Sequence, residues 1–295
     1  MRERRNAPFS PLRQLPPLPD LVLEPIVKLA LAEDLGAAGD VTTDAIIDPE
    51  MRGKWALRAR ENGVVAGMDA ANLTAWLVDP DILFTVAVPD GGAVKAGETI
   101  MEIEGYVRSV LMAERTMLNF IGRLSGIATL TKTYVDAVAG MGVIIASTRK
   151  TTPGLRALEK RAVKLGGGGA HRYGLDDAIL IKDNHVAAAG GVVKALELAR
   201  KGAGHLTAIE IEVDSLDQLR EVLPHAPSAV LLDNFSLADM RAAVKLAKGK
   251  TLLEASGGVT IETVFAIAET GVDVISIGAL THSARSLDVG LDALG

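Results

Sequence analysis

Hydrophobic and polar positions change rhythm three times along the chain. A helix is expected from about Leu21 to Leu35, with Pro25 in its first turn and Gly36 as its stop. Residues 37–110 follow a shorter period. The alternating runs Lys54–Arg60, Ile82–Val88 and Thr99–Glu104 are broken by Asn62-Gly63, Pro89-Asp90-Gly91-Gly92 and Gly97, which predicts strands and turns. A helix around Leu73–Val78 lies between them, so this region reads as a small α+β domain. From about Val110 to Gly140 apolar residues recur at Leu111, Leu118, Ile121, Leu124, Ile127 and Leu130, a helical period. Six short apolar runs follow: Val143–Ser147, Ala178–Lys182, Ala208–Val213, Ala229–Asp233, Thr251–Ala255 and Val272–Ile277. Amphipathic stretches separate them, among them Val192–Arg200, Leu216–Leu223, Leu237–Ala247 and Ile261–Glu269. Strand alternating with helix predicts βαβ units and parallel strands.

The ends of those runs narrow the architecture. Nearly every one finishes in polar or small residues: Arg149-Lys150, Lys182, Glu210 and Glu212, Asp233, Ser256-Gly257-Gly258 and Gly278. An α/β barrel collects its active site at the C-terminal ends of its strands. An open doubly wound sheet also binds ligands there, but at one switch point. These polar residues are spread over all six runs, and no early Gly-x-Gly-x-x-Gly is present. The expected fold is therefore α/β, an atypical, incomplete parallel barrel, since six strands fall short of eight. The stretch Val88–Gly105 reads as a hairpin similar to one in biotinyl or lipoyl carrier domains. It lacks the Met-Lys-Met turn, so a carrier role is set aside.

Composition removes several function classes. The chain has 295 residues, 48% of them apolar, with no Cys and a formal net charge of -6. Without Cys there is no disulfide, thiolate metal site or Cys nucleophile, which fits a reducing, cytoplasmic setting. The acidic balance and 3% aromatic content argue against a nucleic-acid binder. No apolar run reaches the ~18 residues of a membrane span. Arg2, Arg4, Arg5 and Arg13 have no apolar core behind them, so no signal peptide is read. Five prolines among residues 1–20 predict a disordered or extended arm.

Against that acidic background, Arg149–Arg172 carries seven cations and one acid, Glu159. Arg156, Lys160, Arg161 and Lys164 read as the solvated face of an amphipathic helix. Arg149, Lys150 and Arg172 flank a strand and a glycine run, Gly166–Gly169, read as a loop that lets backbone approach a ligand. Planar guanidinium groups bind carboxylates bidentately, so this cluster suits a small polyanion. Lys182 at a strand end is either an anion contact or a Schiff-base amine. Period two puts Glu210 and Glu212 on one face. With Asp233 they form an acidic group able to hold Mg²⁺ or ribose hydroxyls, or to stabilise an oxocarbenium-like transition state. Of the two Glu residues, Glu210 is expected to pair with a nearby Lys. Ser256-Gly257-Gly258 and Gly278 follow the last two strands, where barrel phosphate sites are often built.

Together these motifs resemble one family, the quinolinate phosphoribosyltransferases. The matching pieces run in order: Leu31–Thr43, Glu114–Gly126, Ser147–Leu158, Gly166–His185, Glu210–Asp214, Leu231–Asn234, Glu254–Gly258 and Gly271–Ser283. The resemblance implies an N-terminal α+β sandwich domain over 21–125, a barrel over 126–284, and a 285–295 segment packing back on the N-terminal domain, with the arm at 1–20. It implies transfer of phosphoribosyl from phosphoribosyl pyrophosphate to quinolinate, with loss of CO₂, in de novo NAD synthesis. Arg149, Lys150, His171, Arg172 and Lys182 would line the dicarboxylate pocket. Glu212 and Asp233 would serve the ribose and Mg²⁺, and Ser256, Gly257, Gly258 and Gly278 the phosphate. Lys150, Lys182, Glu212 and Asp233 would be catalytic. Members are homodimers or larger homo-oligomers, in which Arg115 would reach into the partner's site. A non-carboxylating pyridine phosphoribosyltransferase and a Schiff-base aldolase using Lys182 stay open as alternatives.

Overall fold

The computed structural model describes residues 15–294. The expected arm lies outside the described residues over 1–14; residues 15–19 carry no helix or strand. In chain order the elements begin with α1 (Asp20–Leu35), α2 (Val41–Ile46), β1 (Arg52–Ala59), β2 (Gly63–Val64), α3 (Met68–Val78), β3 (Leu83–Val86), β4 (Ala93–Val94), β5 (Thr99–Tyr106) and α4 (Val107–Ala137). They continue with β6 (Ile144–Ser147), α5 (Arg156–Leu165), β7 (Gly169–Ala170), β8 (Ile179–Ile181), α6 (Asp183–Ala189), α7 (Val192–Gly202), β9 (Ile209–Val213) and α8 (Leu216–Val222). The last are β10 (Ala229–Asp233), α9 (Leu237–Ala247), β11 (Leu252–Ser256), α10 (Val264–Ala268), β12 (Val274–Ser276), α11 (Ala279–His282) and β13 (Val289–Leu294).

Two compact units share these elements. One comprises residues 15–132, 151–167 and 280–294; the other 133–150 and 168–279.

In the first unit, an antiparallel sheet of order β13-β1-β5-β3 packs its apolar face with α3 and α4 around Trp55, Leu57, Met101, Ile103, Met117 and Ile121. The C-terminal segment supplies β13, paired with β1 from Lys54↔Leu294 to Ala59↔Val289. Helix α1 buries Leu23, Val27 and Leu31, four residues apart on one stripe. That stripe carries the helix through Pro25, which sits one residue deeper than the sequence suggested because α1 starts at Asp20. Gly36, at φ +54°, ends it as expected. Helix α3 starts five residues before its predicted onset. Its first free N–H, on Met68, is capped by the Asp90 carboxylate at 3.1 Å, a partner 22 residues away with no local signature. Val88–Gly105 is not a self-contained hairpin. Strand β4 pairs with β2, whereas β5 pairs with β1 and β3, so its two strands belong to different sheets.

Helix α5 corrects another expectation. Lys160 and Glu159 have no exposure, and Arg161 is nearly covered. Arg161 reaches Asp69 at 3.1 Å and Asp90 at 3.8 Å. Glu159 accepts from Arg123 Nη2 at 2.8 Å and from the backbone N–H and hydroxyl of Thr152 at 3.0 and 2.7 Å. Burying these charges is tolerable only because each acid meets a donor. The partners come from distant segments, so the helix alone read as solvated.

In the second unit a seven-stranded sheet has the order β7-β6-β12-β11-β10-β9-β8. Every pairing is parallel. Strands β7 and β8 are its two edges, so the barrel stays open, as its strand count predicted. Six strands coincide with the six apolar runs, β11 running one residue past its run to Ser256; the seventh, β7, is Gly169–Ala170 at the end of the glycine run. Gly166 and Gly169 serve close packing. A Cβ on Gly169 would lie 2.8 Å from Ile144 Cγ2, and one on Gly166 2.3 Å from the Ala128 carbonyl oxygen. Helix α10 is shorter than the predicted Ile261–Glu269, because Thr260–Thr263 forms a turn in which Thr263 Oγ1 accepts from the Thr260 N–H.

Gly122 and Gly126 lie four apart on one face of α4, where residues 285–287 cross it. The Leu287 N–H donates to the Gly122 carbonyl at 2.9 Å. A Cβ on Gly126 would stand 1.9 Å from the Arg285 carbonyl oxygen, a clash with backbone. Gly126→Ala should therefore cost about 2–3 kcal/mol by overpacking, despite its better helix propensity. Urea unfolding of the two proteins checks this; an unchanged or higher midpoint would show that the crossing is loose.

Candidate active site

The site is built from residue alternation on three adjacent parallel strands. In β9, Ile209, Ile211 and Val213 are buried on one face while Glu210 and Glu212 point to the other. Register aligns Glu212 with Leu231 and Leu231 with Glu254, and pairs Asp233 with Ser256. Aligned residues of parallel strands share a face, so Glu210, Glu212, Asp233, Glu254 and Ser256 all project from the same side.

Cations from the strand ends meet these acids. The Lys182 ammonium donates to Glu212 Oε2 at 2.7 Å, its stem half exposed and the carboxylate 13% exposed. Glu210 has a different partner. Its Oε2 lies 2.9 Å from His171 Nε2. The expectation that Glu210 pairs with a Lys is thus overturned, since the closer Lys reaches the Glu two residues on. Arg172 follows His171, and its Nη1 donates to the Ala178 carbonyl at 3.1 Å. Burial and the like charge of Arg149 push the Arg172 guanidinium below its ordinary range, with Asp177 and Glu210 opposing. Arg149 is thus near enough to Arg172 for its charge to be felt there. Lys150 is exposed beside them in sequence, its N–H bonded to Thr148 Oγ1 at 3.1 Å.

The opposite rim is acidic and tightly folded. Asp233 Oδ2 accepts from Asn234 Nδ2 at 2.9 Å. Asn234 is left-handed, at φ +53°, and its N–H donates to the Ser256 carbonyl at 2.9 Å. Gly257, at φ +101°, has no room for a side chain: a Cβ would lie 2.1 Å from Asn234 Oδ1. Gly258, at φ +59°, faces open space. The Asp233-Asn234 and Ser256–Gly258 loops are therefore one unit. Gly278 follows β12 and is half-buried. The helix after it, α11, has only four residues. Arg115 belongs to the other compact unit and is exposed on α4.

One residue of this cluster had no assigned role. Glu254, in the middle of β11, is 6% exposed, and its carboxyl is pushed up to about 7 by burial first and by the charge of Glu210 second. Its signal was an acid inside the apolar run Thr251–Ala255. His171, Glu210 and Glu254 each offer an atom within 4.8 Å of the others. This is a different group from the Glu212 and Asp233 pair expected to serve a metal.

Known proteins match this arrangement along nearly the whole chain. The family model "Quinolinate phosphoribosyl transferase, N-terminal domain" matches residues 40–125, and its C-terminal counterpart residues 127–292. The nicotinate-nucleotide pyrophosphorylase [carboxylating] of Mycobacterium leprae is 45% identical over 276 residues, covering 90% of this chain and 95% of that protein. A probable nicotinate-nucleotide pyrophosphorylase [carboxylating] of Bacillus subtilis is 40% identical, covering 92% and 93%. The solved nicotinate-nucleotide pyrophosphorylase of Francisella tularensis superposes with a TM-score of 0.90 at 40% identity, over 94% of this chain and 98% of that one. With both domain models matched in order, this chain belongs to the quinolinate phosphoribosyltransferase family.

Proposed function

We propose that this protein transfers phosphoribosyl from phosphoribosyl pyrophosphate to quinolinate, releasing pyrophosphate and CO₂ and forming nicotinate mononucleotide. The observation that carries this reading is the opposition of charges at the strand ends. The charge of Arg149 is felt at Arg172 beyond β6 and β7, while Glu212 and Asp233 share one face of β9 and β10. A dicarboxylate suits the first group and a developing ribosyl cation the second. The family membership and the carboxylating names of its relatives support the same pair of substrates.

In this scheme the C1–O bond to pyrophosphate breaks as the ring nitrogen of quinolinate bonds C1. Glu212 and Asp233 stabilise the positive charge on the ribose. The C2–carboxylate bond then breaks, its electron pair passing to the cationic ring, and C2 takes a proton. Arg149, Lys150 and Arg172 hold the two carboxylates, and Lys182 bridges the pocket to Glu212. Ser256, Gly257, Gly258 and Gly278 receive the phosphate. The oxygen-only donors of Glu212 and Asp233 suit a hard cation such as Mg²⁺, which would neutralise charge on the pyrophosphate leaving group. The protein mainly positions two anions that would otherwise repel. An aldolase reading fares worse, because a Lys182 ammonium bonded to Glu212 at 2.7 Å is the wrong form for a Schiff-base nucleophile. We further propose a homodimer in which Arg115 completes the dicarboxylate pocket of the partner.

The deciding assay is Mg²⁺-dependent, with phosphoribosyl pyrophosphate and either quinolinate or nicotinate. Mononucleotide and CO₂ should form together from quinolinate. Product from nicotinate alone would assign a non-carboxylating activity. Asp233→Asn should lower kcat about 100-fold, the scale of losing one preorganised electrostatic partner, with the fold intact by circular dichroism. Unchanged kinetics would remove Asp233 from the ribose side. Arg115→Ala and Lys182→Ala should each be inactive alone, and mixing them should restore part of the activity through hybrid dimers. No recovery at any ratio would argue against a shared site.

A further inference from the structure

The His171, Glu210 and Glu254 cluster is not explained by the reaction scheme. Hydrogen bonding fixes the state of its imidazole. The Arg172 backbone N–H donates to His171 Nδ1 at 2.8 Å, so Nδ1 carries no proton. The proton of a neutral ring then sits on Nε2, which donates to Glu210 Oε2 at 2.9 Å. That arrangement disfavours a metal at the same three residues. Nε2 could bind one only as an imidazolate, or after the Arg172 bond broke.

Two buried acceptors are left over. Glu210 Oε1 and Glu254 Oε1 have no solvent contact and no hydrogen-bond partner. Glu210 and Glu254 bring carboxylate oxygens within 4.8 Å of one another, so both cannot stay ionised without cost, and one shared proton would satisfy both oxygens. Glu210 already accepts from His171 through Oε2, which leaves its Oε1 to face Glu254. Glu254 is the more buried of the pair. The groups facing Glu254 are Glu210 from β9, His171 after β7, Ser276 from β12 and Lys182 after β8; His171, Lys182 and the Ser276 hydrogen bond do not outweigh burial.

We propose that Glu254 is a positioning residue that carries a proton and donates it to Glu210, so that Glu210 holds His171 as its Nε2–H tautomer and His171 fixes the backbone at Arg172. The chain of bonds runs Glu254, Glu210, His171, Arg172 N–H. It braces an edge whose own strand, β7, is two residues long. The consequence for binding rests on the assignment of Arg172 to the dicarboxylate pocket, but the proton and the tautomer do not. When Glu254 loses its proton, two adjacent carboxylates repel and the brace loosens.

Two measurements test this. The first is independent of turnover. Infrared spectra of wild type should show a buried protonated carboxyl that disappears as pH rises through about 7, and E254Q should lack it. Nitrogen NMR of His171 should report the Nε2–H tautomer. Folding stability should follow the same group. A carboxyl raised in the folded state contributes fully below its unfolded value of 4.5, and that contribution is lost as pH climbs through about 7. The wild-type Tm should therefore fall across this window relative to that of E254Q, whose amide cannot ionise. The second measurement is kinetic. The KM for quinolinate should rise about tenfold above that window in wild type, the equivalent of one hydrogen bond lost. The KM for phosphoribosyl pyrophosphate should hold steady, and the E254Q profile should be flat. A wild-type carboxyl signal that persists in E254Q, or an E254Q variant with the wild-type pH dependence, would overturn the proposal. Infrared and NMR signatures as expected, in a protein that does not turn over quinolinate, would leave the proton on Glu254 and overturn the substrate assignment alone.

Discussion

Carboxylates placed inside a parallel sheet must each find a cation, a donor or a proton, and the site follows from how this chain meets that demand. Alternation on β9, β10 and β11 puts Glu210, Glu212, Asp233 and Glu254 on one face. Glu212 takes Lys182, Glu210 takes His171, and Asp233 takes the Asn234 amide. Each partner comes from a strand end or the loop beyond it, so neutralising the acids also fixes the segments that carry the binding cations. The other unit obeys the same rule, with Glu159 held by Arg123 and Thr152, and Asp69 and Asp90 by Arg161.

The cations are left with the opposite problem. Arg172 is disfavoured by burial first and by the charge of Arg149 second. A protein tolerates such a pair where an anion is to be received, because the repulsion is relieved when the ligand binds. Asp177 and Glu210 supply only part of this relief, since burial and Arg149 outweigh them. In the proposed function, selectivity for a small dianion would rest on this local charge imbalance rather than on net charge, which at -6 would repel one.

Much of this was legible in the sequence because it rests on local periodicity. The six apolar runs became strands because period and interval are properties of neighbouring residues. The polar residues at their ends mark the mouth for the same reason. What escaped the sequence depends on distant partners. The start of α3 is set by Asp90, the burial of Lys160 and Arg161 by packing across the unit, and β7 by the close packing of Gly169 on Ile144. Glu210 and Glu212 were correctly placed on one face, yet their partners depend on the offset between β8 and β9, which sets Leu180 beside Glu210 and leaves Lys182 to reach Glu212.

Motif resemblance and physical reading inform one another unevenly. Glu114–Gly126 matched the family as a string of letters, and only the crossing of residues 285–287 over Gly122 and Gly126 explains two of them. Those glycines admit the chain that becomes β13, so part of a motif adjoining a site residue, Arg115, is there to close a sheet. Glu254 is the converse case. It stands in the matched Glu254–Gly258 piece, where Ser256 and the glycines drew the functional reading, while the acid lay within an apolar run. An acid in such a run needs a partner or a proton, and the run of residues alone states that requirement. Which of the two it has depends on His171, whose Nδ1 is occupied by its own loop. That one backbone bond turns three residues that look like a metal site into a proton-holding brace.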